Sequence, residues 1–467
     1  MKHTLVVILL VGGMLAGCSS AYDAGSASRS GAYKPGYASF DVECQPLMSG
    51  DRSGVQMYLR ILAPTLAWLK VDAAFEAQVM VQARILRDED GSQVTEIAWP
   101  ETLRVATYTE TQEHAPFRSS RQVLLEPGRY RCAVSLEDRG TRKSGERLVM
   151  AIVPRVQEGQ PTLGGIVLAR REREGTLEPV IGFHVPVTRD TLFARVPVLN
   201  VPAGTPVEVH FSICRFVADT ARAGLPYLFM PAFPAMEGNR IFPHRIDTVY
   251  TIRETRKLLQ GGYVLDDVLP PLERGVYQLA LYVWGPGQEP TEASAAGAIK
   301  YFVVVGPSFP RPVLLKDLVE ASEYIAKRNE QPALDTLTTP QGLRTAFDRF
   351  WLSLVPDTRR ATAVMRAYYN RVQEASRMFS STKEGWRTDR GMVYIVFGPP
   401  DRVDKRSDVE TWSYTLPGSN IGIIFEFRRV FFMQASLTIE DYILRRNIQY
   451  EEPWEHMVKK WRDGEIF

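Results

Sequence analysis

The chain has 467 residues, of which 45% are hydrophobic, 10% aromatic and 24% charged, and its formal net charge is +2. That length exceeds one ordinary domain and fits about three. The composition excludes large-scale disorder, and the balanced charge argues against a general nucleic-acid binder, which needs a clustered basic excess.

Met1-Lys2-His3 places positive charge before the apolar run 4–15, TLVVILLVGGML. The run is too short to cross a bilayer as a permanent helix and has the length of a secretory signal core. It ends in Leu15-Ala16-Gly17-Cys18. This tetrapeptide resembles the lipobox of bacterial lipoproteins. The resemblance implies that residues 1–17 are removed, that the Cys18 sulfur and the new amino group are acylated, and that the membrane partner is held through this lipid. Several acyl chains anchor far more firmly than one. Ser19 stands where that family's inner-membrane retention signal usually has Asp. The implied address is therefore the cell envelope, on the outer membrane facing the periplasm. The plain alternative is a secreted chain with an incidental cysteine. Residues 18–39, rich in Ser, Gly and Ala, read as a flexible tether with a root-mean-square span on the order of 25 Å.

From residue 40 the pattern is β. Segments 55–63, 75–86, 102–111 and 129–138 alternate in twos, are rich in branched and aromatic residues, and are separated by Pro, Gly and Asp. An antiparallel sandwich over 40–155 is the architecture this predicts. The style repeats over 160–306, with strands expected at 192–202, 205–216, 247–255, 276–284 and 299–305. Leu125-Glu126-Pro127-Gly128-Arg129-Tyr130-Arg131-Cys132-Ala133 aligns with Leu272-Glu273-Arg274-Gly275-Val276-Tyr277-Gln278-Leu279-Ala280. The shared Leu, Glu, Gly, Tyr and Ala predict a turn whose glycine takes positive φ, then a strand entered by a tyrosine. The arrangement resembles the tyrosine corner of immunoglobulin-like sandwiches, and two tandem sandwiches follow. Apart from Cys18 the cysteines are Cys44, Cys132 and Cys214. Either Cys44 and Cys132 bridge within the first sandwich, or all three are buried thiols.

After the linker 306–312 the period changes, and 313–380 reads as helical. Residues 314–328 form one candidate helix. Phe347, Phe350, Trp351 and Leu354 share one helix face. Asp357 is a candidate N-cap. Val364, Tyr368, Val372, Ala375 and Phe379 mark the buried face of the next helix, and Arg366, Arg371, Gln373 and Arg377 its solvated face.

Residues 381–467 read as an α+β domain. Within it, 392–397, MVYIVF, has the composition of a strand, bounded by Gly385-Trp386, Thr388-Asp389, Gly391 and then Gly398-Pro399-Pro400-Asp401. Further strands follow around Trp412 and Tyr414. In the tail, Pro453 sits at a helix start, with Trp454, Met457, Val458 and Trp461 on one stripe that either docks onto its own domain or meets a membrane or partner, the first being the expectation. FDRFW, YYNRVQEA, GWRTDRGMVYIVFGPPD and TWSY together resemble the GWxTD-domain proteins of bacteria, many of them expected to be lipoproteins. The resemblance is firm over about Phe347 to Tyr414 and fixes the domain, not its task. Gly398-x-Pro400-Asp401 before Trp412-x-Tyr414 also resembles the small outer-membrane-assembly lipoproteins of the SmpA/OmlA type, although there a helix precedes the turn.

The six histidines are scattered, and the chain has no Cys-x-x-Cys, no nucleophile elbow and no phosphate-cradling loop. No metal or cofactor is expected. The reading is a non-enzymatic envelope lipoprotein whose C-terminal domain binds a protein or envelope polymer. Trp386, Pro399 and Trp412 would form the contact surface, unless the tryptophans are buried in the small sheet. The alternative is an envelope hydrolase of glycan or peptide with Asp389 in its site.

Overall fold

The computed structural model describes residues 27–30, 38–49, 52–112, 116–156, 161–171, 175–187, 191–198, 204–229, 236–241, 246–257, 263–285, 296–327, 330, 339–354, 357–416, 422–434 and 437–466. Cys18 and the segment read as a secretory signal lie outside these residues. Strand β1 (Ala27–Ser30) belongs to the C-terminal sheet and is taken up there.

The first sandwich has two antiparallel sheets. One contains β2 (Phe40–Ser49), β3 (Arg52–Leu62) and β7 (Pro116–Leu124), in the order β2-β3-β7. The other contains β4 (Leu69–Val71), β5 (Ala74–Arg87), β6 (Gln93–Val105), β8 (Gly128–Asp138) and β9 (Ser144–Val153), with β5 at its centre. Alternation places Val55, Met57, Leu59 and Ile61 of β3 in one fully buried cluster with Val79, Val81, Ala83 and Ile85 of β5 and Cys132, Val134 and Leu136 of β8. The strand expected to run to residue 111 stops at Val105. Thr107 receives the Glu110 amide and donates to the Glu110 carboxylate, a reciprocal cap that starts the short helix Tyr108–Gln112.

The second sandwich repeats the plan. One sheet runs β11-β10-β13-β18, from β10 (Val167–Arg171), β11 (Leu177–Pro179), β13 (Leu192–Pro197) and β18 (Tyr263–Val268). The other runs β12-β20-β19-β14-β17, from β12 (His184–Pro186), β14 (Pro206–Phe216), β17 (Ile246–Lys257), β19 (Gly275–Trp284) and β20 (Ala296–Val305). Its core includes Leu168, Val196, Val209, Phe211, Ile213, Leu279, Leu281 and Phe302. The internal repeat is physical. Tyr130 Oη donates to the Glu126 carbonyl at 2.7 Å, and Tyr277 Oη donates to the Glu273 carbonyl at 2.9 Å. Both sandwiches therefore carry a tyrosine corner. Of the two glycines expected to take positive φ, Gly275 does, at 159° and near the extended limit, and Gly128 does not. A Cβ on Gly275 would lie 2.7 Å from Arg215 Nε and would push that side chain aside.

The C-terminal domain sets helices against a meander of β21 (Arg402–Lys405), β22 (Val409–Thr415), β23 (Gly422–Gln434) and β24 (Leu437–Leu444). The helices Leu315–Ser322, Pro340–Leu354, Thr358–Phe379, Asp389–Phe397 and Glu451–Arg462 share one core with this sheet. The 313–380 segment is thus part of the same domain as 381–467. Asp357 caps its helix by accepting the Arg360 amide, and Val364, Tyr368, Val372, Ala375 and Phe379 are fully buried. Trp454, Met457, Val458 and Trp461 dock inward as expected.

Three expectations are corrected. Residues 392–397 are helical, not a strand, because Thr388 caps a helix that runs Asp389–Phe397 and ends at Gly398, φ 84°. The arginine face of the Thr358–Phe379 helix is only partly solvated. Arg366 is exposed, whereas Arg371 lies 4.9 Å over the Trp461 ring and donates to the Ile395 and Val396 carbonyls. The segment read as a free tether contributes β1, which pairs antiparallel with β21, Ala27 opposite Lys405 and Ser30 opposite Arg402. The second sandwich also lends β15 (Met236–Glu237) and β16 (Arg240–Ile241), and β16 runs parallel to β23.

Candidate functional site

The segment Lys383–Asp389 is built as a brace. Gly385–Arg387 forms a single 3₁₀ turn. A Cβ on Gly385 would overlap the Ala375 carbonyl oxygen, and one on Gly391 would overlap the Gly385 carbonyl oxygen. The two glycines let the turn lie directly on the long helix before it and the helix after it. Thr388 Oγ1 donates to the Gly385 carbonyl at 2.7 Å and accepts the Gly391 amide at 3.1 Å. One hydroxyl thereby closes the turn and caps the next helix.

Asp389 occupies the first turn of that helix, where a negative charge is favoured. Its Oδ1 accepts Arg446 Nη2 at 2.7 Å, and its Oδ2 accepts the Leu444 amide at 2.7 Å and Arg446 Nη1 at 3.2 Å. The carboxylate fastens the helix to the end of β24. Trp386 is 2% exposed, with the Arg387 guanidinium 4.2 Å from its ring centroid, and its carbonyl accepts Tyr324 Oη at 3.0 Å. Trp412 is 0% exposed and donates to Glu410 at 2.7 Å. Burial alone would raise the Glu410 carboxyl, but Arg390, Lys405 and the Trp412 N–H outweigh it and hold it below its ordinary range. Tyr414 donates to the Gly398 carbonyl at 2.9 Å, Pro400 is buried, and Pro399 half-buried. Among the candidate residues of this stretch only Asp401 is exposed, and its carboxylate accepts the Thr415 amide. The proposed Trp386, Pro399 and Trp412 surface is therefore corrected: both tryptophans point into the core, where they fill space between helix and sheet.

The chemistry of the motif converges on residues that the sequence reading passed over. Arg387, the variable position of Gly-Trp-x-Thr-Asp, donates to Asp317 at 3.2 Å and to Glu384 at 3.0 Å, and pairs with Glu320 at 2.8 Å. Arg274, from the tyrosine-corner loop of the second sandwich, donates to Asp317 at 2.6 Å and lies 3.5 Å from Glu384. Glu384 also accepts the Gly306 amide at 2.7 Å. Asp317 and Glu384 are both buried. Nearby, Lys383 reaches Asp219 at 2.7 Å, and the His184 Nε2–H donates to the Ser381 carbonyl at 2.9 Å. A cavity of about 170 Å³ opens in this seam, with Arg274, Lys316, Glu320, Lys383, Glu384 and Arg387 around it. The signal was the pair Glu384 and Arg387 bracketing Trp386, charges that a turn on the surface has no need to match.

Among the described residues no group of three or more His, Cys, Asp and Glu is arranged to hold a metal, and no helix is long and apolar enough to cross a membrane. Cys44, Cys132 and Cys214 are unbridged in this structure, with Cys132 buried and the other two half-buried.

The architecture defines a multidomain chain: two tandem immunoglobulin-like sandwiches clamped to an α+β C-terminal domain by a buried charge network. Residues 290–463 match the GWxTD domain, and the C-terminal part of this protein is a GWxTD domain. No curated protein matches the chain. Solved structures similar to it include red sea bream transglutaminase (10% identity, TM-score 0.17, 56% of this chain and 31% of that one). Others are an Escherichia coli alpha-2-macroglobulin activated by porcine elastase (12%, 0.16, 57% and 24%) and a Salmonella alpha-2-macroglobulin mutant (14%, 0.16, 59% and 17%). The chain spans less than a third of the length of each.

Proposed function

We propose that this protein is a lipid-anchored scaffold of the bacterial cell envelope, fastened through Cys18 on the outer membrane and presenting its GWxTD domain to a protein or envelope polymer. The observation that carries the reading is the seam. Arg274, Asp317, Arg387 and Glu384 knit the second sandwich to the motif, and β16 extends the C-terminal sheet. Lys300–Glu43 and Arg118–Glu178 ion pairs join the two sandwiches in turn. A chain that spends its signature residues on joining its modules is suited to holding a binding face at a fixed place. The Gly398 turn, entered from a helix and followed by Trp412-x-Tyr414, also suits the SmpA/OmlA likeness. Asp389, with both oxygens taken by Arg446 and Leu444, is poorly placed to serve a hydrolase.

The contact face then moves to the exposed apolar side chains Phe229, Ile424 and Ile448. They flank the turn where the Asn447 amide meets the Pro226 carbonyl and Tyr450 Oη meets the Ile424 carbonyl. A few anchors buried near the centre of a contact, aromatic ones above all, dominate interface energies. The test has two arms in intact cells. Cys18→Ser should lose palmitate labelling and membrane fractionation. A photo-crosslinker at Phe229 or Ile448 should capture an envelope component in the parent. A Cys18→Ser chain that stays membrane-bound without acylation, or crosslinkers that capture nothing, would overturn the reading.

A further inference from the structure

Two thiols of the first sandwich face one core from opposite sheets. Cys44 lies in β2, opposite Met57, and Cys132 in β8, opposite Ile85 and Val149. The strands belong to different sheets, so any bond between these residues is an inter-sheet bond. Cys132 is fully buried in the core cluster, and Cys44 packs against the same cluster. Each thiol shifts the other: Cys132 and burial raise the Cys44 thiol, and Cys44 lowers that of Cys132. Cys132 is held in place by its neighbour but one, Tyr130, whose corner bond to Glu126 pins the entry to β8. The second sandwich supplies an internal comparison. Its matching residue is Leu279, also fully buried, which shows that an aliphatic side chain closes such a core. Cys214 is remote from the pair, beside Thr248 in the second sandwich.

We propose that Cys44 and Cys132 form an inter-sheet disulfide in the mature protein, and that the structure shows the reduced pair. The oxidant is a small-molecule or protein disulfide. The Cys44 thiolate attacks one of its sulfurs, a mixed disulfide forms and the first thiol leaves. Cys132 then attacks the Cys44 sulfur and expels the second. Two electrons pass to the oxidant, whose two leaving thiolates take up the protons of Cys44 and Cys132. Since Cys132 is inaccessible in the closed sandwich, the exchange belongs to folding, before the sheets meet. The inference is independent of the lipid anchor.

The full chain carrying Cys214→Ser is refolded in a reduced/oxidised glutathione buffer, denatured, blocked with a maleimide and digested for mass spectrometry. A Cys44–Cys132 linked peptide is expected, together with a melting temperature several degrees above that of the dithiothreitol-treated protein. Cys132→Leu, which copies the second sandwich, should fold and lose the dependence on reductant. Maleimide on both cysteines without prior reduction would overturn the proposal. The peptide measurement on the parent decides the matter even if the leucine variant does not fold.

Discussion

Gly385 and Gly391 have no room for a methyl group, and the obstructing atoms are backbone oxygens that cannot swing aside. Gly385→Ala should therefore cost about 3 kcal/mol or more, at the upper end of overpacking penalties, read as a fall in the urea midpoint. At this scale the sequence was informative about which residues matter and misleading about why. The glycines, Thr388 and Asp389 stood out by type. Their use in a helix start became visible only once the caps were traced, because Thr388 to Gly391 is the spacing of an N-cap and the amide that donates to it. Trp386 and Trp412 stood out as anchors, and nothing in their neighbours revealed that both faces would be covered.

Element boundaries follow the same logic. Residues 390–397 are buried on every side, so no polar stripe exists to declare a period of 3.6, and a short apolar run rich in Val, Ile, Tyr and Phe imitates a strand. Strands such as β5 and β14 were legible because one face is wet and the alternation survives, whereas β19, buried on both faces, was legible from its branched and aromatic residues. The tyrosine corners were legible for a different reason: the chain states them twice, in register. Tyr130→Phe and Tyr277→Phe should each lower stability by about 1 kcal/mol, the worth of one hydrogen bond. The double variant should show the sum, since the sites share no partner. Chemical denaturation of the four proteins of this cycle measures both points.

At the scale of the molecule, the seam is the joint at which buried charges hold the second sandwich to the C-terminal domain. Removing Arg387 would leave Asp317 and Glu384 buried with less countercharge. Arg387→Ala should cost about 3–5 kcal/mol and, in limited proteolysis, release the second sandwich from the GWxTD domain before either unfolds. Acid should act on the same joint. His184 sits between Phe183 and Phe309. Burial lowers its pKa below the ordinary 6.5, against the opposing pull of the Ser381 carbonyl, Asp41 and Glu384 and with a smaller contribution from Arg60. The folded state thus prefers neutral imidazole, and the unfolded chain takes up the proton first. Stability should be complete above pH 6.5 and decline as the pH falls below it. His184→Asn should flatten that slope, as thermal melts across a pH series would record. None of this was legible in the sequence, because the partners come from segments far apart in the chain. The pairing of Ala27–Ser30 with Arg402–Lys405 has its own consequence. Tension applied near the start of the chain does not travel through both sandwiches. It shears four rungs at the far end of the fold, and the bare edge that this leaves is a template on which another extended polypeptide can crystallise as a new strand.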